Sequence, residues 1–428
     1  MLRPRCTAAA RDARSASARR RAEPRVGLLY ALTAYAFYAM ALGALGAPFL
    51  AAELALDDAA ITGIAGWVAL GAFGTALLTR LADRHGRRLV LVGSFAALPV
   101  FSIATAFATS VPSYVIPQIG ASAMLNTLAT ALAVAVAEEA SDAHRARAQA
   151  WFGVCASLGG ALALAIGALV PEPGGWRAFW IVAALPVLAA PLVRARLLET
   201  ERFHHAKQDG RVDATRGSDL LRGPLRRRTL GLLAVGLLKP VSIVATSTWP
   251  YYHMVKNLGL DPGWASLVYF AGGGIGLLGN PLGARLTDAW GRRPTSIAAT
   301  AALVAAGSAF FFVPAGGHSF VTIASLVALM AVNQVATSAC NVADRCIDAE
   351  LFPTALRATY VGAARLMNAA AGVATMFALS ALAKPLGGLA EAIAVLSVAT
   401  LVPALAIFLA VVPETRGQTL EQASGDAA

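Results

Sequence analysis

The chain has 428 residues, 57% of them hydrophobic and only 14% charged, with a net charge of +11 and a mean hydropathy of +0.63. Soluble proteins carry roughly 25% charged residues, so a soluble enzyme and a nucleic-acid-binding domain are both excluded. A β-barrel would show alternating segments of about ten residues, and this chain shows long apolar runs instead. The composition is that of a polytopic α-helical membrane protein.

Uncharged runs occupy 26–52, 59–79, 89–137, 148–171, 262–284, 294–343 and 392–413. A bilayer-crossing helix needs about 20 apolar residues, so 89–137 and 294–343 must each hold two. Ser110, Val111, Pro112 and Ser113 break the first; Pro314, Ala315, Gly316, Gly317 and His318 break the second. Both are turn compositions. The predicted spans are 26–50, 59–81, 88–109, 112–138, 146–170 and 176–197, then 228–252, 263–286, 295–314, 319–348, 357–383 and 388–412. This is an all-α membrane protein of twelve helices in two pseudo-symmetric six-helix bundles, 26–197 and 228–412. A basic tail (1–25), a polar linker (198–227) and a short tail (413–428) complete the chain.

Lys and Arg in the short loops set the orientation. One set of connections carries Arg19, Arg20, Arg21 and Arg25, then Arg80 to Arg88, Arg145 with Arg147, the 194–228 segment, Arg285 with Arg292 and Arg293, Arg357 and Arg416. The alternating set carries Glu53, Asp57, Asp58, Glu172, Lys256, His318 and Lys384. The basic set is expected to be cytoplasmic, with both termini inside, as an even number of spans requires. The Arg-, Ala- and Ser-rich tail is read as an unstructured segment that reinforces this orientation; a cleaved transit peptide is the alternative. Cys6, Cys155, Cys340 and Cys346 form no CxxC pair, so no disulfide framework, metal site or cofactor is implied.

The two halves repeat. After span 2 stand Asp83, Arg84, Gly86, Arg87 and Arg88; after span 8 stand Asp288, Gly291, Arg292 and Arg293, about half the chain later. Glu138 with Arg145 after span 4 matches Glu350 with Arg357 after span 10. Such pairs are what parallel six-helix repeats leave behind. With these elements the sequence resembles the major facilitator superfamily over all but its tail. Glu350, Leu351, Phe352, Pro353, Thr354 and Arg357, with Pro413, Glu414, Thr415, Arg416 and Gly417, look like its sugar-porter and organic-ion branches. Thr79 and Ala284 replace the usual leading glycine, and the Gln-Gln pair of sugar porters is missing from span 7. The resemblance implies a cytoplasmic gate built from these loop residues. Physically, Asp83 and Asp288 end helices where a carboxylate can cover a neighbouring helix N-terminus, and the arginines can pair with Glu138 and Glu350.

Polar groups in hydrocarbon are expensive, so those present should face a cavity or one another. Span 4 shows Gln118, Ser122, Asn126 and Thr130 on one face; span 7 shows Lys239, Ser242, Thr246, Trp249 and His253. Span 10 shows Gln334, Thr337, Ser338, Asn341, Asp344, Arg345 and Asp348, and span 11 shows Arg365, Asn368 and Thr375. Tyr35 and Tyr38 on span 1 are either cavity walls or packing residues. Arg365 is either an anion ligand or a partner of Asp344. Span 7 offers Lys239 no acid within one turn, which favours anion binding. Asp344 is the candidate proton carrier, because burial favours a neutral carboxyl and a nearby cation the ionised one; a gate or helix-end ion pair near the cytoplasm is the alternative reading. The glycines of span 8 (Gly272, Gly273, Gly274, Gly276 and Gly279) are expected to allow close helix packing.

The expected function is secondary active transport of a small organic solute by alternating access, coupled to protons, with an organic anion favoured. A neutral sugar or polyol, then drug or metabolite efflux, are the transport alternatives, and a substrate-sensing receptor on the same scaffold is the other. The expected partners are a small solute, protons and lipid, with no nucleic acid, and the chain is expected to act as a monomer. No nucleophile–base or metal-ligand cluster suggests an enzyme.

Overall fold

The structure, a computed structural model, describes residues 8–139, 145–169, 175–197, 220, 225–352 and 354–416, with side chains from Val26 onward. Twelve membrane helices follow in chain order. They are α1 (Ala8–Glu53), α2 (Asp58–Ala69 continuing as Gly71–His85), α3 (Arg87–Ala106), α4 (Val111–Glu139), α5 (Arg145–Ala168) and α6 (Trp176–Ala184, then Leu185–Ala189 and Ala190–Arg196). The second set is α7 (Leu225–Thr248, then Pro250–Tyr252 and His253–Asn257), α8 (Pro262–Gly276 and Gly279–Ala289), α9 (Arg292–Phe310), α10 (Phe320–Glu350), α11 (Thr354–Leu386) and α12 (Leu389–Val411).

Ten of the described helical runs are long and apolar enough to cross a membrane. The other two are α8, divided by a break, and α9, which opens on Arg292 and Arg293. The break in α8 tightens to Leu277 N donating to Gly274 O, and that in α2 to Leu70 N donating to Trp67 O. Both breaks fall at nearly the same point of the repeat. The tail differs from expectation: α1 runs back to Ala8, because Ala and Arg are strong helix formers and the apolar span supplies a nucleus. Most of the linker and residues 417–428 lie outside the described residues.

In each half the helices pack with one another, α1 on α5 and α3 on α4, then α9 on α10 and α7 on α11 and α12. The halves meet through α2 against α11 and α5 against α8, two pairs that exchange under the repeat. Gly272, Gly276, Gly279 and Gly283 all press on α10; a Cβ on Gly279 would lie 2.3 Å from the Val335 carbonyl, and one on Gly283 2.5 Å from Ala339. This is the close packing expected of Gly272, Gly276 and Gly279, whereas a Cβ on Gly273 or Gly274 would meet nothing within 4 Å. Trp176, Phe179, Phe95, Leu42 and Leu128 fill the first bundle, while Leu188 and Phe320 lie exposed on outward faces, where a bilayer would cover them.

Candidate functional site

A cavity of about 500 Å³ opens between α7, α10, α11 and α12, lined among others by Lys239, Asn341, Asp344, Arg345, Asp348, Tyr360, Arg365, Asn368 and Phe408. It gathers nearly every charged side chain that the sequence places inside the second bundle. Lys239 is 6% exposed and is not unpaired, contrary to the expectation from span 7 alone. Its Nζ lies 2.7 Å from Asp344 Oδ2 and 3.0 Å from Ser296 Oγ on α9. The acid comes from another helix, 105 positions along the chain, which a search within one turn cannot see. Ser296 Oγ in turn donates to Asp344 Oδ1 at 2.7 Å, and Cys340 Sγ approaches Oδ2 at 3.5 Å. The Phe408 ring covers the ammonium from α12, with its centroid 5.7 Å away.

This pairing excludes one of the two readings of Arg365, that of a partner of Asp344. Asp344 is taken by Lys239, and both Arg365 and Arg345 are exposed to the cavity with no carboxylate within salt-bridge distance among the described residues. Asn341 and Asn368 are also exposed on its wall. Asp348, one turn beyond Asp344, receives a single hydrogen bond among the described residues, from Tyr360 at 3.2 Å.

Other predicted cavity residues lie elsewhere. Ser242 is fully buried and binds Ser397 O and Thr400 Oγ1 of α12 at 2.9 and 2.8 Å. Thr246 donates to Ser242 O and packs against Gly307 of α9. They share the polar face of α7 with Lys239, but below the cavity that face meets helices, so hydroxyls serve as ties. Tyr35 donates to Ala183 O of α6 at 3.0 Å and Tyr38 is 4% exposed in the first bundle's core; both are packing residues. Asn126 turns its amide back to Ser122 O at 2.8 Å, and Gln118 bonds Thr105 of α3 at 2.9 Å. A helical face that is polar by spacing is therefore satisfied locally in α4.

Gln334 enters a second, mostly apolar cavity of about 470 Å³ between the bundles, with Leu45, Leu158, Leu164, Tyr251, Tyr269 and Phe270. It lies two turns from Asn341 along α10, towards the end opposite the termini. At that end the bundles are joined. Tyr252 donates to Asp58 Oδ1 at 2.8 Å, Lys256 to Leu56 O at 2.7 Å, and Ser380 to Ala59 O at 2.6 Å. Trp67 meets Phe377 edge-on at 5.3 Å. Among the described residues, all hydrogen bonds between the bundles lie here.

At the end that carries the termini, ties run within bundles. Arg292 pairs with Glu350 at 3.0 Å, as the loop pattern suggested. Asp288 does not cap the next helix: it is exposed and 3.7 Å from Arg292. Glu414 takes that role, accepting from Arg292 N and Arg293 N at 3.0 Å each, because the turn after α12 carries its carboxylate under the amides that α8 points away from. Gly86 and Gly291 start α3 and α9 at φ of 102° and 110°. A Cβ on Gly291 would lie 2.5 Å from the Glu414 carboxylate. Arg88 donates to Arg194 O and Arg293 to Leu409 O, at 2.8 and 2.7 Å, so the second arginine of each repeat ties to the end of that half's sixth helix. The side chains of Asp83, Arg84, Arg87, Glu138, Arg145 and Arg357 lie outside the described residues.

The sequence matches the Major Facilitator Superfamily over residues 27–376 and 241–427. The chain belongs to that superfamily. A 3-(3-hydroxy-phenyl)propionate transporter of Escherichia coli is 31% identical over 128 residues, 30% of this chain and 32% of that one. A probable 4-methylmuconolactone transporter of Cupriavidus pinatubonensis is 25% identical over 82% of this chain and 80% of its own. Among solved structures, a D-xylose-proton symporter superposes with a TM-score of 0.69 at 19% identity, covering 92% of this chain and 98% of that one. A nucleoside transporter superposes with 0.75 at 14% identity, covering 90% and 99%. Membership makes this a multi-pass membrane transporter and not an enzyme, and at these identities the structural likeness fixes the fold alone. Of the residues in and behind the cavity, Tyr360 and Phe408 on its wall and Ser296 behind the Lys239–Asp344 pair escaped the sequence reading. Ser296 carries no distinguishing signal, standing with Thr295, Thr300 and Ser308 in an alanine-rich helix, whereas Tyr360 stands just after the Glu350 loop.

Proposed function

We propose that this superfamily member is a proton-coupled secondary transporter of a compact organic anion, and that Arg365 holds the anionic group. The observation that carries this reading is an unpaired arginine exposed in a cavity whose ammonium group is already committed to Asp344. A guanidinium matches a carboxylate bidentately, and Asn341 and Asn368 on the same wall supply donors and acceptors for a hydroxyl or carbonyl. The apolar cavity around Gln334, Tyr251 and Phe270 suits a ring. The names of the relatives agree, one specifying an aryl-substituted propionate and the other a methylated lactone.

Alternating access follows from the two ends. The contacts Tyr252–Asp58, Lys256–Leu56 and Ser380–Ala59 hold one side shut, and on the other the described loop arginines Arg88, Arg292 and Arg293 make their ties within each bundle. Both termini are cytoplasmic by the positive-inside rule, so this conformation is open inward. Uptake of labelled 3-(3-hydroxyphenyl)propionate into proteoliposomes tests the proposal. Accumulation driven by an imposed pH gradient, inhibited by other aryl carboxylates and not by xylose, is expected. Transport of xylose with no transport of the acid would replace this reading with the sugar alternative.

A further inference from the structure

We infer that Asp348, and not the ion-paired Asp344, is the carboxylate that takes up and releases the coupled proton. The inference rests on the proton coupling proposed above and assigns its site. Asp344 and Asp348 stand one turn apart on α10 and line the same cavity. Like charges at that spacing repel, and a carboxylate removed from water must find a cation or become neutral. The two acids divide unequally what is available. Asp344 holds an ammonium at 2.7 Å, a hydroxyl at 2.7 Å and a thiol at 3.5 Å. Asp348 holds one phenol at 3.2 Å.

Among the described residues, the charged and titratable groups around Asp348 are few. From α7 come Lys239, bound to Asp344, and Arg228, which donates to Leu351 O. From α11 come Tyr360 and Arg365, and from α10 itself Asp344 and Arg345; α12 presents Phe408. None of the cations lies within salt-bridge distance of Asp348 among the described residues. The other neighbours are apolar: Leu232, Val235, Ile347, Leu351 and Phe352, with Phe352 stacked on Tyr360 at 3.9 Å. The chemistry is a single protonation. A proton from the water-filled cavity forms an O–H bond on Asp348, no other bond changes, and Tyr360 remains a hydrogen-bond partner in both states.

Coupling to the anion follows from the shared cavity. A substrate carboxylate held on Arg365 adds negative charge to the cavity that Asp348 also lines, and Asp348 then binds a proton. Linkage makes this reciprocal, so protonated Asp348 strengthens anion binding.

The test needs no substrate. Difference infrared spectra of the purified protein in lipid, recorded between acid and alkaline buffer, should show the carbonyl stretch of a titrating carboxylic acid. Asp348→Asn should delete that band, Tyr360→Phe should shift it without deleting it, and the double variant Lys239→Gln/Asp344→Asn should keep it. A band that survives Asp348→Asn and vanishes in the double variant would overturn the assignment, as would its absence from the unaltered protein. Failure of the propionate uptake assay would sink the substrate reading alone, because the spectra contain no substrate.

Discussion

The two bundles share one architecture and differ in what lies at their centres. In the first, several polar side chains are absorbed by backbone or by neighbours, Tyr35 by Ala183 O, Asn126 by Ser122 O and Gln118 by Thr105, while Tyr38, Thr75 and Trp180 bury polar atoms that have no partner among the described residues. In the second, a lysine, two aspartates and two arginines share one cavity. Duplicated frames thus carry unequal chemistry, as expected when a fold is set by packing and function by a few grafted side chains.

The largest effect that would break this comparison is loss of half the buried pair. Lys239→Met or Asp344→Leu leaves one uncompensated charge, which should cost about 3 kcal/mol, the low end of the usual range because Asp344 keeps a third of its side chain exposed. Thermal unfolding in detergent should show the drop, and the combined Lys239→Met/Asp344→Leu variant should recover most of it. If Asn126→Leu in the first bundle destabilised as much, the asymmetry would be false.

Substrate affinity gives the next largest effect. Arg365→Gln should raise the half-saturating concentration of the propionate probe about ten- to thirtyfold, roughly 1.5–2 kcal/mol for a lost charged hydrogen bond in a wet cavity. Tyr35→Phe should leave it unchanged. Equal losses would return Tyr35 to the substrate path.

The loop glycines sharpen the comparison further. Gly86→Ala meets backbone strain at φ 102°, whereas Gly291→Ala meets strain and the Glu414 carboxylate at 2.5 Å. The second should be worse by about 1 kcal/mol, the worth of a charged helix cap, read as a difference in unfolding midpoint. Smallest of all, Tyr35→Phe should cost about 0.5–1 kcal/mol of stability, the net value of one hydrogen bond.

Most of the fold was legible because length and apolarity decide membrane helices directly, and the Asp-x-x-Gly-Arg-Arg repeat announces the duplication. The site was legible only as a set of residue types. Spacing put Lys239, Ser242 and Thr246 on one face, but that face passes a cavity at Lys239 and meets α12 and α9 at the other two. Which part of a polar stripe is wet depends on partners more than a hundred positions away, as the Lys239–Asp344 pair shows. The role of Glu414 was hidden for the same reason. Its motif was visible in the sequence, but its target lies at the start of a different helix.

Glu414 also bears on how this protein can be handled in the laboratory. It sits three positions past the end of α12, in the stretch where a fluorescent or affinity tag is commonly joined. A fusion made directly after Val411 would delete the acid that covers the Arg292 and Arg293 amides and the Thr415 hydroxyl that donates to Glu350. A fusion made after Arg416 would keep both. The same tag, moved by five residues, would report on two different proteins.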